Sequence, residues 1–103
     1  MAAQPDGRTL TIKLQGQHAI AFVGRLSEKR WAILQVLQSQ GTGAVGVREL
    51  ARRVGRDVKR VHEDVEVLTE LGLVQRDDMG AVACPFSEVR IDMRLQGQHA
   101  VPV

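Results

Sequence analysis

The stretch that decides the fold is Gly46–Gly72, "GVRELARRVGRDVKRVHEDVEVLTELG". Between its first two glycines, Val47, Leu50, Ala51 and Val54 fall at i, i+3, i+4 and i+7, the spacing that gathers apolar side chains on one face of a helix. Arg48 and Arg52 share the outer face one turn apart, and Glu49 can pair with Arg53 in the favourable acid-first order. The small Ala51 lets a neighbouring helix approach closely. Gly55 tolerates the left-handed backbone with which helices end in a tight turn. Asp57 then caps a second helix, stopped by Gly72, whose buried face is expected to carry Val58, Val61, Val65 and Leu68. Its opposite side carries Lys59, Glu63, Glu66 and Glu70, with Arg60, Val67 and Leu71 on a separate flank. A short helix, a turn of about three residues and a longer helix make a helix-turn-helix, in which the second helix would enter a DNA major groove N-terminus first.

On the N-terminal side, "LSEKRWAILQVLQSQG" (Leu26–Gly41) has the signals of another helix. Ser27 is a good N-cap, Glu28 stands in the first turn, and Leu26 and Trp31 occupy the two positions of a hydrophobic staple. Trp31, Ile33, Leu34 and Leu37 spread over one broad face. On the C-terminal side the period changes. "LVQR" predicts a short strand, "DDMG" a turn and "AVACPF" a second strand, so a β-hairpin follows the helices and the order is that of a winged helix. "SEVRIDMRL" alternates, with Val89, Ile91, Met93 and Leu95 against Glu88, Arg90, Asp92 and Arg94, and predicts a third, half-buried strand.

Composition sets the outer bounds. With 103 residues, 44% hydrophobic and 25% charged, the chain is one globular domain. The single cysteine, Cys84, allows neither an intrachain disulfide nor a zinc quartet, which suits a reducing cytoplasm, and before Pro85 in an apolar strand it reads as a small buried residue. No run approaches the ~18 apolar residues of a membrane span, and the N-terminus lacks the order of a signal peptide. The net charge of +2 conceals an asymmetry. Residues 47–62 balance at +4 and residues 63–78 at −5, so a basic block that suits a polyanion is followed by an acidic one.

The chain resembles a family of small prokaryotic winged helix-turn-helix proteins, transcriptional regulators related to the MarR type, several of them encoded beside a small partner in toxin and antitoxin arrangements. The resemblance runs from about Gly24 to Met93 and rests on "LSEKRWAILQVL", on "VRELARRVGRDVKRVHEDVEVLTELGLVQRD" and on "VACPFSEVRIDM". It implies that Arg56, Asp57, Lys59, Arg60, His62 and Glu63 form the turn and leading end of a recognition helix. The wing tip, "RDDMG", departs from the usual pattern in being acidic, with Arg76 as its one cation.

The expected DNA-binding residues are therefore Arg48, Arg52, Arg53, Arg56, Lys59, Arg60, Glu63 and Arg76. Arg56, Lys59 and Arg60 suit phosphates or a guanine edge, Glu63 a cytosine amino group, and Arg48, Arg52 and Arg53 phosphate positioning. The competing reading pairs Lys59 with Glu63 and Arg60 with Asp64 on a solvated face. Such pairs contribute only about 0.2–0.5 kcal/mol and would not hold the side chains back from DNA. His62 reads as a packing or capping residue. No metal or other cofactor is assigned, since the histidines come with no ligand partners at metal spacing. No enzyme is expected: phosphate loop and nucleophile elbow are both missing, and the neighbouring residues of "HED" point away from one another on a helix.

Six letters, LQGQHA, occur twice, in "KLQGQHAI" (Lys13–Ile20) and "RLQGQHAV" (Arg94–Val101). Aligning the copies matches Leu10, Ile12 and Leu14 with Ile91, Met93 and Leu95, so each copy reads as a strand followed by a turn-like "QGQH". The expected organisation is a disordered terminus (1–8), a flanking strand and turn (9–23), the winged helix-turn-helix (24–93), and a C-terminal repeat strand or tail (94–103). The flanking strands would pair with each other or with a second subunit, building a homodimer and covering Val67 and Leu71. The fold class expected is α+β, and the function that of a cytoplasmic, duplex-DNA-binding repressor or autoregulator. The alternative is an antitoxin-type interaction protein that neutralises a small toxin-like partner through its acidic or C-terminal surface.

Overall fold

Two helices of the central stretch form where the apolar spacing places them. The computed structural model describes residues 8–39 and 43–95. In it, helix α3 spans Val47–Val54 and ends at Gly55, whose φ of 68° is the left-handed geometry that a side chain would strain. Helix α4 spans Val58–Glu70, and the Asp57 carboxylate accepts the Arg60 backbone N–H at 3.4 Å, a long N-cap bond. Before them come strand β1 (Thr9–Gln15) and helices α1 (Gly16–Arg25) and α2 (Glu28–Ser39); after them come strands β2 (Gln75–Arg76), β3 (Val82–Ala83) and β4 (Glu88–Arg94). The architecture is α+β, with four helices and two small sheets among the described residues.

The core joins all three central helices. Ile33, Leu34 and Leu37 of α2, Leu50 and Ala51 of α3, and Val61, Val65 and Leu68 of α4 are buried together with Leu73, Val74, Val82 and Cys84. Dense packing of this kind makes a large-to-small change such as Leu50→Ala cost about 2–5 kcal/mol. Two apolar residues stand further out than expected. Trp31 is 47% exposed, because the buried arc of α2 is centred on Ile33, Leu34 and Leu37 and leaves the indole at its edge, so the staple with Leu26 does not bury it. Val58 lies in line with Val61 and Val65 but is 39% exposed, so the first turn of α4 reaches past the core.

The hairpin is held at its turn by Asp77, whose carboxylate accepts the backbone N–H groups of Met79 and Ala81, each at 2.9 Å. Gly80 completes the turn with φ 84°. Val45, just before α3, bridges Val82 through two backbone hydrogen bonds of 2.8 Å, which ties the hairpin to the start of that helix.

The flanking segments differ in part from the sequence reading: Met93 and Leu95, expected on the half-buried side of their strand, are exposed. The first "GQHA" is the opening of α1 and not a turn, so residues 9–23 comprise a strand and most of a helix. Gly16, at φ 57°, redirects the chain at the junction, and Ala19 and Phe22, one turn apart, bury the helix. Strands β1 and β4 pair with each other, in parallel, with Ile12 beside Ile91 and Lys13 beside Asp92. This register is two residues away from the alignment of the repeat, which would set Leu10 beside Ile91. An even offset preserves the faces of a strand. Leu10, Ile12, Leu14, Val89 and Ile91 therefore pack together against the core, while the polar residues between them face outward. Val67 and Leu71, the candidates for covering by the flanking strands, are half-buried, and Leu71 packs on the core. The ends of the chain (1–7 and 96–103), with the second "QGQHA", lie outside the described residues.

Candidate nucleic-acid interface

The cations of the central stretch separate into two groups, and a single acid divides them. Asp64 lies on α4 between Val61, Val65 and Leu68, and is only 6% exposed. A carboxylate so placed is stable only with partners. Arg30 of α2 donates from Nε to Oδ1 at 2.9 Å, and Arg56, from the turn before α4, donates from Nη1 to Oδ2. Arg30 also donates to the Arg25 backbone carbonyl at 2.8 Å. The cluster fastens α2, the turn and α4 to one another. The Arg56 side chain is 17% exposed and engaged inward, so among the expected contact residues it is placed as a fastener and not on the open face. Asp64 being taken, it is not the partner of Arg60 on a solvated surface.

The other cations face outward. Lys59 and Arg60, on the protruding first turn of α4, are exposed, and among the described residues neither side chain has an ion pair. Glu63 is exposed one turn further along. Arg48, in the first turn of α3, is exposed and likewise has no acid partner among the described residues. Glu49 accepts from Arg52 Nε at 3.0 Å and from Arg53 Nε at 2.9 Å, so the expected Glu49–Arg53 pair forms and is shared with a second arginine. Hydrogen bonds from Arg52 first, and from Arg53 second, lower the Glu49 pKa to about 2 from its ordinary 4.5. Two guanidiniums on one carboxylate leave this face with a positive balance.

Arg76 reaches the same region from the hairpin. It lines an open concavity of about 480 Å³ with Arg48, His62, Met79 and the backbone around Gly46 and Gly80. The fold thus brings together Arg48, His62 and Arg76 from α3, α4 and β2. His62, expected to be a packing or capping residue, is exposed, with Nδ1 at 4.0 Å from Glu66. The available signal was its position three residues after Lys59, which sets both on adjoining parts of one helix face.

The acidic end of α4 is used within the chain. Glu70 is paired with Arg25 at the end of α1, which couples the flanking segment to α4. Among the described residues there is no group of histidine, cysteine and acidic side chains fit to hold a metal ion, and no helix long and apolar enough to cross a membrane.

Residues 25–91 match the model of the HVO_A0114 family, and the chain belongs to that family. The matched segment runs from the end of α1 to the middle of β4, so it contains the Asp64 cluster and every candidate contact residue, and it leaves out β1. No curated protein and no solved structure matches the chain.

Proposed function

We propose that this member of the HVO_A0114 family is a winged helix-turn-helix protein that binds duplex DNA and represses or autoregulates transcription. The observation that carries the reading is the pair Lys59 and Arg60, exposed on the leading turn of a helix that extends past its own core, with no acid engaging either side chain among the described residues. In a helix-turn-helix that end of the second helix approaches the base edges, and the preceding helix crosses the backbone. Lys59 and Arg60 would supply base and phosphate contacts, with Glu63 as an acceptor for a cytosine amino group. Arg48, Arg52 and Arg53 would take phosphates beside them, and Arg76 would do so from the hairpin. Arg56 would act indirectly, by fixing the angle of α4 through Asp64.

The resemblance to MarR-type regulators and the basic balance of residues 47–62 support the same reading. The interaction-protein alternative loses part of its footing. Of the acids assigned to a partner surface, Asp64 is buried and Glu70 is paired with Arg25.

The test is fluorescence anisotropy of the full chain on duplex DNA from upstream of its own gene and on a scrambled duplex, across a salt series. The expected result is tighter binding to its own DNA, with an affinity that falls steeply as salt rises and a preference that disappears in the Lys59→Ala, Arg60→Ala double variant. Equal, weak binding that the double variant leaves unchanged would overturn the proposal.

A further inference from the structure

The repeated flanks build a ribbon of two parallel strands, and among the described residues neither outer edge of that ribbon is paired. An open edge is a row of unsatisfied backbone donors and acceptors, and proteins ordinarily blunt it with proline, a bulge, a covering element or charged side chains, which oppose pairing unless an incoming strand presents their opposites. Strand β4 spans seven residues, "EVRIDMR", without a proline, and its outward charges alternate in sign: Glu88, Arg90, Asp92, Arg94.

We propose that β4 is the docking edge for a second copy of this chain, paired antiparallel about a two-fold axis at Ile91. In that register Glu88 stands opposite Arg94 of the second copy, Arg90 opposite its Asp92, Val89 opposite its Met93, and Ile91 opposite itself. Every outward charge meets its opposite, and every apolar residue meets an apolar one. The adjacent registers fail. A slip of one residue sets charged side chains against apolar ones. A slip of two sets either Arg90 against Arg90 and Glu88 against Asp92, or Asp92 against Asp92 and Arg90 against Arg94. Like charges directly opposite destabilise a strand pair, so the sequence of β4 accepts one register and rejects its neighbours.

The other edge has no such code. The same operation on β1, "TLTIKLQ", sets Thr9 opposite Gln15 and Thr11 opposite Lys13, with no ion pair. Exposed apolar side chains also gather around the ribbon. Met93 is 44% exposed, Leu95 follows it, and α1, which packs against both strands, leaves Ile20 and Val23 in the open. Pairing at β4 continues the apolar face of one ribbon into that of the next and gives a four-stranded sheet in the order β1, β4, β4, β1. A two-fold dimer of this form is self-complementary and closed. It stands independently of whether the cationic face binds DNA.

The experiment is sedimentation velocity of the full chain over a concentration series, without DNA, with circular dichroism to check the fold of each variant. The wild type should form a dimer. Arg90→Asp places like charges opposite one another twice in the dimer and should raise the dimer dissociation constant by about tenfold or more. Adding Asp92→Arg to that variant restores opposite charges and should recover the dimer. In addition, Ile91→Cys should give a covalent dimer on mild oxidation, since opposed residues of an antiparallel pair stand about 4.5–5.5 Å apart at Cα, within disulfide reach. The wild type, whose one thiol is buried, should give none. A monomer at every concentration, a dimer indifferent to Arg90→Asp, or a double variant that fails to recover would each overturn the proposal.

Discussion

Two sets of cations meet α4 from different sides. On the inner flank Arg30 and Arg56 converge on the buried carboxylate of Asp64, while on the outer face Lys59 and Arg60 extend into solvent with no ion pair among the described residues. Arg56 and Lys59 are three positions apart, and composition treats them alike. What separates them is the helix surface they meet: one flank of α4 carries an acid that must be neutralised in order to be buried, whereas on the other side the exposed Glu63 forms no ion pair with Lys59 or Arg60 among the described residues. The inner set should therefore govern stability and the outer set binding, with little exchange between the two.

The largest effect expected is on the inner side. Asp64→Ala leaves two guanidiniums at the core boundary with no counter-charge, and removing one partner of a buried ion pair costs about 3–5 kcal/mol. Because Arg30 and Arg56 keep some contact with water, the loss should fall toward the lower end of that range. Urea denaturation followed by circular dichroism measures it, and a loss within about 0.5 kcal/mol would break the contrast. The outer pair comes next. Lys59→Ala with Arg60→Ala should leave stability within about 0.5 kcal/mol, weaken DNA binding by tenfold or more, and lower the slope of log affinity against log salt by about 2. If that double variant unfolded the protein while DNA affinity held, the two sets would have to be exchanged.

A smaller effect is expected at the hairpin. Arg76→Ala should weaken binding a few-fold and lower the salt slope by about 1, the signature of one phosphate contact. An unchanged slope would confine the interface to α3 and α4. The smallest effect concerns acid. Glu49 holds its proton only near pH 2 in the folded chain, below its ordinary 4.5, so folding favours the ionised form. Its stabilising contribution is complete above pH 4.5 and is lost as pH falls from there toward 2. Glu49→Gln should remove that part of the acid dependence, as read from urea midpoints between pH 5 and 2, roughly the window over which such a carboxylate titrates. The same dependence in variant and wild type would assign the acid limb to other carboxylates.

How much of this was legible in sequence follows from the range of each signal. Helices α3 and α4, the stop at Gly55, the Asp57 cap and the Glu49–Arg53 pair are set by neighbours within a turn, and local spacing reveals them. The hairpin was legible for the same reason, through Asp77 and Gly80. The Asp64 cluster was not, because one of its partners lies 34 residues away on α2. A clue existed: an acid on the arc of Val61, Val65 and Leu68 cannot be buried alone. Helix α1 was obscured by the repeat, whose "QGQH" reads as a turn although Ala19, Phe22 and Leu26 that follow have helical spacing. The ribbon register was concealed similarly, since pairing follows the apolar faces and not the repeated letters. The concavity shared by Arg48, His62 and Arg76 depends on Val45 tying the hairpin to α3, a contact made by a single residue.

The division between an inner, fastening set of charges and an outer, binding set is tested most directly by following backbone amide resonances of the labelled full chain as its own upstream duplex is added. The account expects the largest shifts at the first two turns of α4, around Lys59, Arg60 and Glu63, with smaller ones at the start of α3 and at the hairpin, and no more than slight movement at Arg30 and Asp64. Shifts confined to α1, β1 and β4, or no shifts while a protein partner produces them at the acidic end of α4, would contradict it.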